Sequence, residues 1–174
     1  MHTPIYTDRL ILREIRESDY EGMFALDSDP KVHKYLGNNP IQSVEQAKEI
    51  ILFVRQQYVE NGIGRWAVIE KKTNEFVGWT GLKLEKTLTN GHDNYYDLGY
   101  RLRPEFWGKG IGFEAALPFI YYGFEKLGID KICGAADVDN LASNKILKKC
   151  GLKFIESFHY DGVPCNWYEL NKAK

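Results

Sequence analysis

From Arg9 to Ile15 polar and apolar residues alternate, which puts every second side chain on one face of a strand. Two short helical stretches follow. Ser18-x-x-Glu21 has the form of a capping box opening a helix through Met23 and Phe24, and Asp29-Pro30 supplies a capping acid with proline at the first helical position. The apolar spacing then lengthens. Val44, Ala47, Ile51, Val54 and Tyr58 share one face of a helix that Ser43-x-x-Gln46 caps and Gly62 ends.

Beyond Gly62 the period shortens again. Arg65 to Glu70, Phe76 to Leu84 and Tyr95 to Leu102 are rich in Trp, Val, Ile and Tyr and read as strands, with Thr73-Asn74 a tight turn between the first two. Lys86 to Asp93 is polar and reads as a surface loop. A glycine-rich segment then leads into a nearly all-apolar stretch from Ile111 to Leu127, predicted as one helix stopped by Gly128 and buried against a sheet. After it come a strand (Lys131 to Asp137), a short helix (Leu141 to Lys149) closed by Gly151, and a strand (Leu152 to Tyr160). Asp161-Gly162 turns the chain into a last strand near Asn166 to Leu170. With no internal repeat and no linker, the pattern predicts one α+β domain over residues 1–174. An antiparallel meander comes first, then β-α-β-α-β around a mixed sheet.

Composition narrows the function classes. A chain of 174 residues with 44% hydrophobic and 27% charged residues suits a soluble domain with a substantial core. A formal net charge of −1 offers no global attraction for nucleic acid or a membrane surface. The first residues (MHTPIYTDRLILREI) lack the basic start and apolar run of a secretory signal, and no apolar run reaches the ~18 residues of a membrane span. Cys133, Cys150 and Cys165 form no CxxC pair, and His2, His33, His92 and His159 are scattered, so neither a disulfide framework nor a metal site is expected. These features predict a cytoplasmic protein with reduced thiols.

The chemistry concentrates in Leu98-Gly99-Tyr100-Arg101-Leu102-Arg103-Pro104-Glu105-Phe106-Trp107-Gly108-Lys109-Gly110-Ile111-Gly112. A strand passes through alternating glycines into a helix, whose first N–H groups have no internal partner and whose dipole adds partial positive charge. Such a turn cradles anions, and glycines let a phosphate approach the main chain. A Walker A loop would need GxxxxGK followed by Ser or Thr, which is absent. A dinucleotide fingerprint would need a third glycine where Phe113 stands. The pyrophosphate of coenzyme A remains, beside a glycine turn with a structural role alone.

The segment resembles the acetyl-CoA-binding motif of the GNAT acetyltransferases: Gln or Arg, two residues, Gly, any residue, then Gly or Ala. Trp107 takes the first position, as in the branch similar to ribosomal-protein N-terminal acetyltransferases, and Gly108, Lys109, Gly110, Ile111 and Gly112 follow. The resemblance implies a mixed, mostly antiparallel central sheet flanked by helices. It also implies that the amides from Gly108 to Phe113 bind pyrophosphate, and that the main chain of Tyr100, Arg101 and Leu102 pairs with the pantetheine arm. A later segment, Asn140-Leu141-Ala142-Ser143 through Gly151-Leu152-Lys153-Phe154, is similar to the family's second motif, with Asn140 bonding the cofactor's amide arm. Asn140 and Gly151 are equally good ordinary helix punctuation.

By the same resemblance the activity is acetyl transfer from acetyl-CoA to an amine. It needs a neutral amine, a polarised thioester carbonyl and a stabilised thiolate. A backbone N–H near Leu102 could polarise the carbonyl. Asp97 stands where the family branch places an acid (Asp97-Leu98-Gly99-Tyr100) and is the candidate base, or else a solvated strand-end acid. Leu147 occupies the position where many members carry a tyrosine general acid. Ser143 is the substitute donor, or an ordinary first-turn serine. Tyr100 alternates onto the face opposite Asp97. Trp66, Trp79, Tyr95, Tyr96 and Trp167 belong to the core or line an acceptor pocket. Cys150 beside the second motif invites a nucleophile reading, but no base partners it, and direct transfer is the simpler route. The acceptor is read as a peptide or protein N-terminus, with small amines (polyamine, amino acid, aminoglycoside) as alternatives. A non-catalytic acyl-CoA-binding module or a nucleotide-binding module would share the loop without needing Asp97 or Ser143. A monomer or a homodimer is expected.

Overall fold

The computed structural model describes residues 2–173. Eight strands form one sheet: β1 (Ile5–Tyr6), β2 (Leu10–Glu14), β3 (Trp66–Glu70), β4 (Phe76–Glu85), β5 (Tyr95–Leu102), β6 (Lys131–Asp137), β7 (Lys153–Tyr160) and β8 (Val163–Asn171). Their order is β1-β2-β3-β4-β5-β6-β8-β7, and all neighbours are antiparallel except β5 and β6. This is the mixed, mostly antiparallel sheet that the resemblance implied, with the meander read from the pattern as its first half.

Strand alternation divides the core between the two faces. On β3, Trp66 and Val68 join Leu10, Leu12, Leu82, Leu98 and Ile132 under α4 (Ile111–Ala116), α5 (Pro118–Tyr121) and α6 (Leu141–Lys149). Ala67 and Ile69, the residues in between, turn to the opposite face. There they meet Met23 and Leu26 of α1 (Tyr20–Asp27), Val32 of α2 (Pro30–His33) and Ile51 and Val54 of α3 (Val44–Asn61). α3 begins as its sequence signal said it would. Ser43 Oγ accepts from Gln46 N at 3.3 Å, Gln46 Oε1 accepts from Ser43 N at 3.1 Å, and Gly62 ends the helix at φ 67°.

Three sequence expectations are corrected. No capping box forms at Ser18. A 3₁₀ turn (Glu17–Asp19) comes first, and Asp19 Oδ2 accepts from Arg16 N at 2.7 Å while Arg13 grips both carboxylate oxygens at 2.7 Å. A carboxylate already fixed by a guanidinium is the stronger acceptor. The helix over Ile111 to Leu127 is not continuous either. Pro118, which has no N–H, opens a new segment, and Tyr122–Lys126 widens into a π turn closed by Leu127 N to Tyr122 O at 3.0 Å. That turn presses on the sheet: a Cβ on Gly123 would come within 3.0 Å of Leu82, Ile129 and Ile132. The last strand begins at Val163, earlier than Asn166, because β7 and β8 pair up to the Asp161-Gly162 turn.

Phe119 has no exposed surface and meets Trp66 edge-on, with ring centres 5.3 Å apart. Phe119→Ala is expected to cost about 3–5 kcal/mol of stability, read as a lowered urea midpoint at unchanged slope.

Candidate active site

β5 pairs with β4 along its whole length, Tyr95 to Leu102, and β6 pairs with β8 from Lys131 to Asp137. Between β5 and β6 the register holds only at Tyr96↔Ile132 and Asp97↔Cys133, after which the strands part. The phase of the edge facing this fork follows from one bond. Arg103 N donates to Val77 O at 2.9 Å, so Arg103, Arg101, Gly99 and Asp97 turn their main-chain groups to β4. Tyr100 and Leu102 turn theirs into the fork. A chain of amides laid there would complete the ladder as a strand does. Leu102 O already accepts from the Trp107 indole at 2.7 Å, so the tryptophan at the motif's first position braces the corner between strand and glycine loop.

The loop itself needs glycine. Gly108 and Gly110 have φ of 71° and 78°, a left-handed backbone that disfavours a side chain. A Cβ on Gly112 would stand 2.8 Å from Ile146 Cδ1, so this glycine sets how closely α4 packs on α6. Lys109 lies over the Phe106 ring and Lys149 over Phe113, at 5.7 and 5.6 Å from the ring centres, while Ile111 is buried beneath. Sequence reasoning missed the buttress behind the loop. Arg9 Nη1 donates to Lys109 O at 2.9 Å, and its Nε donates to Glu114 Oε2 at 2.6 Å. Glu114 Oε1 accepts from Thr7 Oγ1 at 2.6 Å and from Arg9 N at 2.9 Å. Burial raises the Glu114 pKa, but these bonds outweigh it and hold the carboxyl below its usual value.

On the face carrying α1 to α3, Asp97 is not the lone acid that its motif suggests. Arg65 Nη2 pairs with Asp97 Oδ2, and Arg65 Nη1 donates to Asp97 O at 2.7 Å and to Gly81 O. A Cβ on Gly99 would fall 2.6 Å from Arg65 Nη2, so Gly99 gives the guanidinium its bed. Arg101 follows on the same face, donating to buried Asp27 at 2.6 Å. Trp79 lies between the two cations, 5.3 Å from Arg65 and 5.0 Å from Arg101. Arg101 therefore meets β4 with its main chain and α1 with its side chain. Further down this face His92 stacks on Trp167 at 4.9 Å, Tyr95 packs edge-on to Trp167, and burial pushes the Tyr95 hydroxyl up to about 12. The loop over Lys86 to Asp93 thus covers an aromatic cluster. Trp66 and Trp167 are core residues with no exposed surface.

Tyr100, Asn140 and Ser143 meet on the other face. Asn140 caps α6, its Oδ1 accepting from Ser143 N at 3.1 Å. The Tyr100 hydroxyl donates to Ser143 O at 2.8 Å and lies 3.0 Å from Ser143 Oγ. Leu147 is buried against Gly134. Asn144, which no sequence motif singled out, ties the region together. Its Nδ2 donates to Asp137 O and Asn140 O, both at 2.8 Å, and its Oδ1 accepts from Tyr168 Oη at 2.7 Å and Asn166 Nδ2 at 2.9 Å. Asp97 and Ser143 do not touch. Tyr100 is three residues from Asp97, about 10 Å along the strand, and faces the opposite way.

The sequence matches the acetyltransferase (GNAT) domain over residues 9–153. The chain belongs to the GNAT acetyltransferase family. It is 35% identical over 174 residues to the uncharacterized N-acetyltransferase YoaA of Bacillus subtilis (strain 168), covering 97% of this chain and 96% of that one. It is 30% identical over 166 residues to the FsC-acetyl coenzyme A-N(2)-transacetylase of Aspergillus fumigatus, covering 92% and 70%. Among solved structures, the ribosomal-protein-S5-alanine acetyltransferase from Vibrio fischeri superposes with a TM-score of 0.78 at 18% identity, covering 98% and 97%. A ribosomal L7/L12 α-N-protein acetyltransferase in complex with coenzyme A gives 0.79 at 18%, covering 97% and 98%. Those two likenesses concern the fold.

The chain is thus an acyltransferase of the GNAT family, whose domains use acetyl-CoA. Among the described residues no group of His, Cys, Asp or Glu is placed to hold a metal ion, and no helix is long and apolar enough to cross a membrane. Cys150 is a poor nucleophile, since burial pushes its thiol up to about 11 and leaves roughly one molecule in 10⁴ as thiolate at pH 7. Cys133 is pushed up to about 12, by burial first and then by Glu169. Both are expected to resist iodoacetamide in the folded protein at pH 7 and to be alkylated once urea unfolds it, as followed by mass spectrometry. Asn144→Ala should lower stability by about 2 kcal/mol in urea unfolding, because it strands the Tyr168 hydroxyl and the Asn166 amide.

Proposed function

We propose that this GNAT domain moves an acetyl group directly from acetyl-CoA to the α-amine of a peptide or protein N-terminus, in the cytoplasm. The observation that carries the reading is the β5–β6 fork, with Tyr100 and Leu102 turning their amides into it and the Gly108 to Phe113 loop at its mouth. In this reading the loop amides bind the pyrophosphate, and the arm lies in the fork with the Asn140 side-chain amide beside it. The Leu102 N–H polarises the thioester carbonyl. The amine nitrogen attacks that carbon, a C–N bond forms, the C–S bond breaks and one proton leaves the nitrogen. Asp97 lies five residues from Leu102, about 16 Å along β5, so as the base it takes that proton through a file of waters with Oδ1, since Oδ2 is held by Arg65. Ser143 donates to the leaving sulfur from the other face. An α-amine, with a pKa near ~8, needs little help to be neutral.

The peptide acceptor is supported by the exposed surface on the α1–α3 side of the sheet, where Ala135 is exposed in mid-strand on β6, opposite Trp167 of β8. It is supported too by the activities named for the two ribosomal-protein acetyltransferases of like fold. A small-amine acceptor is the second reading, favoured by the 30% identity to the FsC transacetylase.

The test is thiol release from acetyl-CoA with N-terminal peptides, polyamines and aminoglycosides, with coenzyme A binding followed by calorimetry. Turnover is expected with peptides, and turnover confined to small amines overturns the peptide reading. Gly110→Val is expected to weaken coenzyme A binding at least tenfold by forcing a branched side chain into left-handed backbone. Asp97→Asn should lower kcat by about 10²-fold, whereas Cys150→Ala should leave it within about twofold.

A further inference from the structure

Tyr100 is the best-placed protic side chain at the fork that the proposed chemistry leaves without a task. Its hydroxyl reaches both oxygens of one residue, Ser143 O at 2.8 Å and Ser143 Oγ at 3.0 Å. A phenol carries a single proton, so the two contacts describe two hydroxyl settings. When the Tyr100 proton points at Ser143 O, the phenol oxygen accepts from Ser143 Oγ–H, and the serine has no proton to offer elsewhere. When the Tyr100 proton points at Ser143 Oγ, the serine hydroxyl is released to donate outward. No heavy atom moves between the settings. The serine backbone is held by the Asn140 cap, and the next residue is clamped by Asn144, so the hydroxyl rotors alone remain free.

We infer that Tyr100 is a positioning residue for the leaving thiolate, acting through Ser143. As the C–S bond breaks, the Tyr100 proton turns from Ser143 O to Ser143 Oγ, and the Ser143 proton turns to the sulfur. A hydroxyl that accepts one hydrogen bond is a stronger donor of the next. Neither proton is transferred. The sulfur leaves as a thiolate held by the serine, then takes a proton from water, while the proton lost by the amine goes to Asp97 or solvent. Burial raises the Tyr100 pKa, which agrees with a phenol that stays protonated throughout. The arrangement also answers the absence of a tyrosine at Leu147. Leu147 lies four residues after Ser143, one turn deeper on α6, and is closed off in the core. The phenol arrives instead from the strand, at the first turn of the helix.

This inference rests on the acetyltransferase reading, and its test keeps the two apart. Coenzyme A is bound to the unsubstituted protein and to Tyr100→Phe, Ser143→Ala and the double variant, and the bound thiol is titrated by its thiolate absorbance. Turnover is measured in parallel with the best acceptor. Either single substitution is expected to raise the apparent pKa of the bound thiol by several tenths of a unit and to lower kcat about fivefold, with KM for acetyl-CoA within about twofold. The double variant is expected to match Ser143→Ala, because Tyr100 works through that hydroxyl. Ser143→Thr, which restores a hydroxyl, should recover sensitivity to Tyr100→Phe. A thiol titration indifferent to Tyr100→Phe, or an undiminished effect of that change in the Ser143→Ala background, overturns the role of Tyr100 and leaves the acetyltransferase reading standing. Failure of the unsubstituted protein to bind coenzyme A overturns both.

Discussion

Two neighbouring strands that stop pairing leave main-chain donors and acceptors facing each other across a gap, and such groups are costly in a core unless a partner arrives. Here β5 and β6 share two register pairs and then separate, while each is fully paired on its other edge. The opening is therefore imposed by the sheet. The glycine loop lies at its mouth because it continues β5, and Ser143 lies beside it because α6 follows β6 by three residues. Wall, floor and entrance of the site all follow from one parallel pairing that ends early.

The split sheet also separates the side chains proposed for the two halves of the reaction. Asp97, Gly99 and Arg101 look towards the helices of the N-terminal third, through a ladder of Arg65, Trp79 and Asp27. Tyr100 looks the other way, towards Ser143. Strand alternation alone produces that division. In the proposed reaction a substrate amine entering on the side of Asp97 and a thiol leaving on the side of Ser143 meet different side chains, one to take a proton and one to hold the sulfur as it departs.

Much of this was legible along the chain where the signal is local. Ser43, Gln46 and Gly62 announced α3 because a capping box and a left-handed stop act within a few residues. Asn140 and Gly151 did the same for α6. The glycine loop could be read because a left-handed backbone leaves few residue choices. Pro118 was visible too, but the apolar run around it has no period to break, so the segment read as continuous. What could not be read is long-range. Arg9 meets Glu114 across 105 positions, Arg65 meets Asp97 across 32, and Tyr168 meets Asn144 across 24. None of these pairs has a spacing that any local period would select, and each becomes evident only once the strand order is known.

The clamp on Asn144 has a consequence for how the molecule comes into being. Its two acceptors, Asp137 O and Asn140 O, lie close by in the chain, but the groups that fix its carbonyl, Asn166 and Tyr168, belong to the last strand. A polypeptide leaves the ribosome with its N-terminus first. During synthesis the first turn of α6 therefore emerges before the strand that locks it. A nascent chain that has not yet reached Asn166 holds every residue proposed for chemistry and still lacks the two partners that fix the Asn144 carbonyl.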